Sequence, residues 1–181
     1  MMQDALMPPE PLRAQIARSN VALSLATAEA DMPLIMVNRG FQRLTGFEQA
    51  AVLGRNCRFL QDDTTPVHQI AAMSAFLKDA SRDDGRFPVL NRRHDGSGFL
   101  NLVFLSKLRD QQGRIRFVIA SQFDITTARQ AAALAGNDEV LIGTLDTMRQ
   151  TIGHFGLTMT DSAGLIARSI TTLARFAVRD E

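Results

Sequence analysis

Tryptophan and tyrosine are both absent from this 181-residue sequence, and cysteine occurs only once, as Cys57. A single cysteine excludes an internal disulfide and a cysteine-based zinc site. The three histidines are widely separated and show no ligand spacing, so we expect no metal site. Without tryptophan and tyrosine, near-ultraviolet and visible absorption would come almost wholly from any chromophore that the protein binds.

The sequence also lacks an excess of charge and a long apolar run. Its 20 basic and 19 acidic side chains give a net charge of +1, which provides no field to attract nucleic acid or an anionic membrane. No apolar stretch approaches the ~18 residues of a membrane helix, and the N-terminus has no signal-peptide core. We therefore expect a cytoplasmic protein with neither nucleic-acid nor membrane partners.

The order of apolar patterns predicts an α+β fold. Residues 1–20 form a leader and a short helix, and strands at 21–26 and 34–37 follow. Two short helices come next, and a longer helix runs from Pro66 to about Leu77. Three strands, 87–93, 99–108 and 114–123, are joined by turns. This order predicts a five-stranded antiparallel sheet with the short helices on one face.

Residues 127–181 change character and are predicted to be helical. Apolar residues from Leu134 to Phe155 follow spacings of 7, 4, 3, 4 and 3, and a second stripe runs from Ile166 to Ala177. We interpret 127–181 as a helical hairpin or dimerisation extension that follows a domain at 21–126. The alternative is that these helices cap the sheet of their own chain.

The segment Gly54 to Gln61 reads Gly-Arg-Asn-Cys-Arg-Phe-Leu-Gln and contains the sole cysteine. Asn56, Arg58 and Gln61 place polar groups beside the thiol. On a short helix or turn, these groups would hold a polar, phosphorylated ligand and present the sulfur to it. The alternative is that Cys57 is simply a small buried hydrophobe.

Three amides are predicted to meet on neighbouring strands. A turn centred near residue 96 would pair Asn91 with Asn101, and a turn between 111 and 112 would pair Asn101 with Gln122. Val103 and Leu105 share their face because side chains alternate along a strand. Such a row would match the polar edge of a flat heterocycle, since an amide both donates and accepts. The alternative is that the amides bond one another or cap loops.

The segment from Gly54 to Gln61 resembles, nearly letter for letter, the signature of LOV domains, the flavin-binding blue-light sensors of the PAS superfamily. LOV domains also place two asparagines and a glutamine as we expect for Asn91, Asn101 and Gln122. The resemblance spans roughly residues 21–125. It implies a PAS fold in a short LOV protein with helical extensions and no effector domain.

The resemblance also implies roles at the flavin ring. Cys57 would form a reversible bond to the C4a atom of the flavin after light absorption. Asn91 and Asn101 would bind the pyrimidine edge, and Leu60 would pack against the ring. Gln122 would face the N5 and O4 atoms and relay the change to the last strand.

At the other end of the cofactor, Asn56 and Gln61 would hold the ribityl chain and phosphate, and Arg58 would pair with the phosphate. The cofactor is therefore expected to be flavin mononucleotide (FMN), with riboflavin or FAD as alternatives. Many LOV domains carry a second phosphate-binding arginine where this chain has Ser74. We expect weaker retention of FMN and more tolerance of riboflavin.

The expected function is a blue-light photoreceptor, not an enzyme. It would signal through its terminal helices by changing dimerisation or partner binding, as a homodimer with an unknown downstream protein partner. The alternative is a light-independent, flavin-binding redox-sensing PAS module. A flavoenzyme lacks support, because no nicotinamide site and no acid–base pair stand out.

Overall fold

A computed structural model describes residues 7–127 and, beyond them, residues 147, 150 and 153. The predicted helical hairpin at 127–181 therefore lies almost wholly outside the described residues. In the part of the chain that is described, no helix combines the length and the apolar character needed to cross a membrane.

Five strands form one antiparallel sheet. They are β1 (Ala22–Thr27), β2 (Leu34–Val37), β3 (Asp84–Arg92), β4 (Gly98–Arg109) and β5 (Ile115–Asp124). The strand order is β2-β1-β5-β4-β3, so β1 and β5, the first and last strands of residues 7–127, are neighbours. The predicted five-stranded antiparallel sheet is confirmed.

Within residues 7–127, four α-helices and one 3₁₀ turn lie around the sheet. The helices are α1 (Glu10–Arg18), α2 (Arg39–Thr45), α3 (Gln49–Val52) and α4 (Val67–Lys78), and the 3₁₀ turn spans Cys57–Leu60. Helix α2 ends at Gly46, whose φ of +75° is the left-handed conformation that closes helices. The segment from α2 to α4 lies on one sheet face, as predicted.

The sheet is buried on both faces because different helices cover each of them. On one face, α2, α3 and the 3₁₀ turn pack their buried side chains against β1 and β2, and α4 packs Phe76 against β3, β4 and β5. On the other face, Leu12 and Ile16 of α1 pack against Leu23 and Leu25. All six residues of β1 are consequently buried.

The side chain of Asn38 joins α1, β1 and α2. Its Oδ1 accepts from the backbone N–H of Leu23 (3.0 Å) and of Phe41 (2.9 Å), so it caps the start of α2. Its Nδ2 donates to the carbonyl oxygens of Ile16 (3.0 Å), Ser19 (3.1 Å) and Val21 (2.7 Å). A single buried amide therefore fixes the path of the chain into and out of the sheet.

The predicted pairing of the three amides across the strands is wrong by two residues at each hairpin. Asn91 lies opposite Phe99, Asn101 lies opposite Val89 and Asp124, and Gln122 lies opposite Val103. The β3–β4 turn begins at Arg93, which bonds to Ser97 across the turn (2.8 Å), so its centre lies one residue before the predicted position. The β4–β5 ladder also contains an irregularity at Leu108/Arg109. A two-residue slip keeps every side chain on its face, because strand side chains alternate with a period of two.

Candidate functional site

A cavity with about 680 Å³ of empty space, counted with its open mouth, lies between the helical layer and the sheet. The cavity is lined by every residue that we predicted from the sequence to contact a ligand: Asn56, Cys57, Arg58, Leu60, Gln61, Asn91, Asn101, Val103, Leu105 and Gln122. The fold thus brings together positions that are far apart along the chain.

Backbone bonds to β2 hold the cysteine segment at the cavity. Leu34 donates to the carbonyl of Arg55 (2.9 Å), and Gly54 donates to the carbonyl of Leu34 (2.8 Å). Gly54 adopts a φ of +77°, where a side chain would be strained. Asn56 then accepts from the backbone N–H of Arg58 (2.9 Å) and so caps the 3₁₀ turn. These bonds place Cys57 at the first position of the turn.

The Cys57 thiol is free and half-buried, and it opens onto the cavity. Burial away from water raises the pKa of this thiol to about 12, because the thiolate loses its hydration there. The sulfur therefore remains a neutral thiol at physiological pH and is not activated as a thiolate. Among the described residues, no group of three or more potential ligands could hold a metal ion beside it or elsewhere.

The three predicted amides form one hydrogen-bonded row on the cavity wall. Asn101 donates through Nδ2 to Oδ1 of Asn91 (2.9 Å) and to Oε1 of Gln122 (2.9 Å). Gln122 in turn donates through Nε2 to the hydroxyl of Ser24 (3.2 Å). The amides meet diagonally instead of directly across the strands, which their length permits. They do bond one another, as the alternative interpretation of the sequence anticipated.

The hydrogen bonds among the three amides leave one polar atom of the row without a partner among the described residues. Oδ1 of Asn101 is buried and has no hydrogen-bond partner among the described residues. Asn101 is 0% exposed, and a buried acceptor without a partner costs free energy. The adjacent wall is apolar and includes Val103, Leu105, Val118 and Ala120. This combination of a polar rim and an apolar surface fits the edge and the faces of a planar ring such as that of flavin.

The charged part of the cavity lies at its outer, solvent-exposed end. Arg58 lines the cavity, but its guanidinium pairs with the carboxylate of Asp31. Asn56 also contacts this residue, since its Nδ2 donates to the carbonyl of Asp31 (2.6 Å). Ser74 lies on α4 but is not among the described residues that line the cavity. The predicted phosphate contacts of Arg58, Asn56 and Gln61 remain predictions.

Sequence reasoning missed Ser24 and Met32, which line the cavity, and Asp31, which pairs with the lining residue Arg58. Ser24 faces the cavity because β1 lies beside β5 in the sheet, and only the strand order reveals this neighbour. Nothing in the sequence pattern marks Met32 or Asp31, which lie in the loop between β1 and β2. Met73 and Leu77 of α4, a helix that the sequence did predict, also line the cavity.

Comparisons with known proteins give a consistent family. A PAS domain family model matches residues 23–127. The blue-light-activated histidine kinase of Rhizobium johnstonii is 34% identical over 116 residues, which are 64% of this chain and 33% of that protein. This chain therefore spans a third or less of the curated relatives that it matches.

Solved structures agree with the sequence matches. The LOV protein of Rhodobacter sphaeroides is 29% identical, with a TM-score of 0.75 over 95% of this chain and 98% of that chain. A light-oxygen-voltage domain that was studied with a flavin analogue is 30% identical, with a TM-score of 0.56 over 66% of this chain and 87% of that chain. The relatives thus include blue-light photoreceptors, and the present chain belongs to the PAS domain family and, within it, to the LOV domains.

Proposed function

We propose that this chain is a blue-light photoreceptor that binds flavin, preferably FMN, in the cavity beside Cys57. The observation that carries the proposal is that the sole thiol and the buried amide row face the same cavity. Oδ1 of Asn101, which no described residue bonds, supplies an acceptor for a ligand donor, and the apolar wall supplies the packing surface. Relatives that are light sensors, one of them studied with a flavin analogue, support the same assignment.

The proposed light reaction adds the Cys57 S–H bond across the C4a–N5 bond of flavin, with sulfur to C4a and hydrogen to N5. No external oxidant or reductant is needed, because the reaction is a net addition, and dark recovery is its reverse. The raised pKa of Cys57 keeps the proton on the sulfur in the dark. Light, and not thiolate formation, then controls when the bond forms.

Gln122 would pass this change to the protein. Its Oε1 accepts from Asn101 and its Nε2 donates to Ser24. A new donor in the cavity would favour a turned amide that offers its oxygen to the ligand. Turning the amide brings Nε2 toward the Nδ2 donor of Asn101, so that bond must break or rearrange. Ser24 can follow the turn, since a hydroxyl can donate as well as accept.

The test is an absorption spectrum of the purified protein in the dark, after blue illumination and during recovery in the dark. A flavin band should bleach and return. With no tryptophan or tyrosine in the chain, the near-ultraviolet region belongs almost entirely to the chromophore. The variant Cys57→Ala should bind flavin but show no reversible bleaching. A protein that is colourless and takes up no added flavin would refute the proposal.

A light-independent redox-sensing PAS module is the alternative, and the same variant separates the two. If the protein is a redox sensor, the Cys57→Ala variant should signal normally, because its flavin responds to reductant without the thiol. If the protein is a photoreceptor, the Cys57→Ala variant should no longer respond to light, although a chemical reductant should still reduce its flavin. We infer a sensory and not an enzymatic role, since the proposed chemistry returns every reactant to its starting state.

We further propose that the terminal helices form a homodimer whose strength depends on light. Support comes from the two apolar stripes in residues 127–181, which exceed what one sheet face needs. Size-exclusion chromatography in the dark and under blue light provides the test. The elution volume should change with illumination in the native chain and not in Cys57→Ala. A monomer under both conditions would remove this proposal and leave the light reaction untouched.

A further inference from the structure

The outer end of the cavity has an unusual charge arrangement. Among the described residues that line the cavity, Arg58 carries the only charge. Its guanidinium does not stand free for a ligand, because the carboxylate of Asp31 pairs with it. Both side chains are largely exposed, at 62% for Arg58 and 61% for Asp31, so a ligand phosphate could approach this pair from the solvent.

The position of Asp31 is set by the backbone of the β1–β2 loop and not by the ion pair alone. Asn56 binds the carbonyl oxygen of Asp31 (2.6 Å), which ties the loop to the cysteine segment. Met32 donates to the carbonyl of Glu29 (2.9 Å) and adopts a φ of +47°, a left-handed conformation that is unusual for a side-chain-bearing residue. The Met32 side chain lines the cavity. The loop therefore holds a carboxylate against Arg58, the charged residue among the described residues that line the cavity.

We propose that Asp31 is a specificity-determining residue that lowers the preference of this chain for a phosphorylated flavin over riboflavin. This inference rests on the proposed function, since it requires flavin in the cavity. A phosphate monoester carries about −1.5 to −2 charges at neutral pH. It would have to share the Arg58 guanidinium with the Asp31 carboxylate, and the two anions repel each other.

The size of the effect follows from Coulomb's law. A carboxylate and a dianion about 6 Å apart in a water-like medium repel each other enough to change affinity by roughly tenfold. Tenfold corresponds to about 1.4 kcal/mol. Riboflavin has no phosphate, so its affinity should not depend on the charge at Asp31.

The experiment compares the affinities of flavin-free protein for riboflavin and FMN by equilibrium dialysis at low salt. In Asp31→Asn, FMN binding should tighten by about tenfold while riboflavin binding stays the same. The matched control is Glu29→Gln, which removes one acidic charge from the same loop and leaves the Arg58–Asp31 pair in place. The control should leave the ratio of the two affinities unchanged within about twofold.

If the ratio of FMN affinity to riboflavin affinity in Asp31→Asn stays the same or falls, the inference is overturned. A fall in this ratio would show that Asp31 orients Arg58 toward the phosphate. Unaltered riboflavin binding in the variant demonstrates that the cavity is intact. A native chain that binds neither flavin defeats the proposed function itself. A native chain that binds both flavins, with no response to Asp31→Asn, defeats only the specificity assigned to Asp31.

Discussion

Replacing Asn101 by leucine tests the centre of the amide row. Asn101 is fully buried, and its single Nδ2 group serves both Asn91 and Gln122. Leucine has nearly the same shape but neither donates nor accepts. The substitution therefore removes the polar connection of the row without opening a large hole in the core.

The expected loss of stability is about 2 kcal/mol, because two neutral hydrogen bonds disappear at roughly 1 kcal/mol each. The effect on flavin binding is separate. If Oδ1 of Asn101, which has no partner among the described residues, accepts a hydrogen bond from the ligand, losing it should cost about 1–2 kcal/mol. That cost corresponds to flavin affinity weakened by roughly 5- to 30-fold.

Urea unfolding followed by far-ultraviolet circular dichroism measures the first quantity, and flavin titration of the flavin-free protein measures the second. The matched control is Leu105→Met, which changes an apolar residue of the same strand and cavity at nearly constant volume. An Asn101→Leu protein that binds flavin within twofold of the native chain would refute the role given to the amide row.

Three further predictions concern Ser74, Cys57 and Lys107. Many LOV domains carry a phosphate-binding arginine at the position of Ser74 on α4. Ser74→Arg should therefore tighten FMN binding by about tenfold relative to riboflavin in a dialysis comparison; an unchanged ratio of the two affinities would contradict this. Burial raises the pKa of Cys57 to about 12, above the ordinary thiol pKa of 9.0. In flavin-free protein the rate of iodoacetamide alkylation of Cys57 should therefore keep rising with pH up to pH 9.0 without a plateau. A plateau below pH 9.0 would show an accessible thiolate. Lys107→Met should lower the free energy of unfolding by about 2–4 kcal/mol, because the buried Nζ donates to the carbonyls of Phe76 (2.8 Å) and Asp79 (2.6 Å) at the end of α4; a change below 1 kcal/mol in urea titration would contradict it.

The sequence predicted the bounds of those helices and strands that are determined by the pattern of neighbouring apolar residues. Strand β2 has the predicted bounds, and α4 begins and ends within about one residue of the expected positions. The predicted position of the β3–β4 turn was wrong by one residue, because residues at this turn bond to distant parts of the chain. Arg93 leaves the strand to bind the Leu44 carbonyl and the Asp124 carboxylate, and neither contact is visible in the turn sequence.

The site divides in the same way. Cys57 and the amides at Asn91 and Asn101 could be chosen from motif and alternation, because each lies on a regular element facing one side. Ser24 and Asp31 could not. Their partners lie 98 residues away for Ser24 and 27 residues away for Asp31, and only the folded chain brings them together.

The amide of Asn38 attaches α1 rigidly to the sheet. It ties the last turn of α1 to β1 and to the start of α2 through five hydrogen bonds. A reporter or effector fused directly ahead of Glu10 should therefore turn with β1 instead of swinging freely. A cargo meant to move independently would need a glycine–serine spacer at this point.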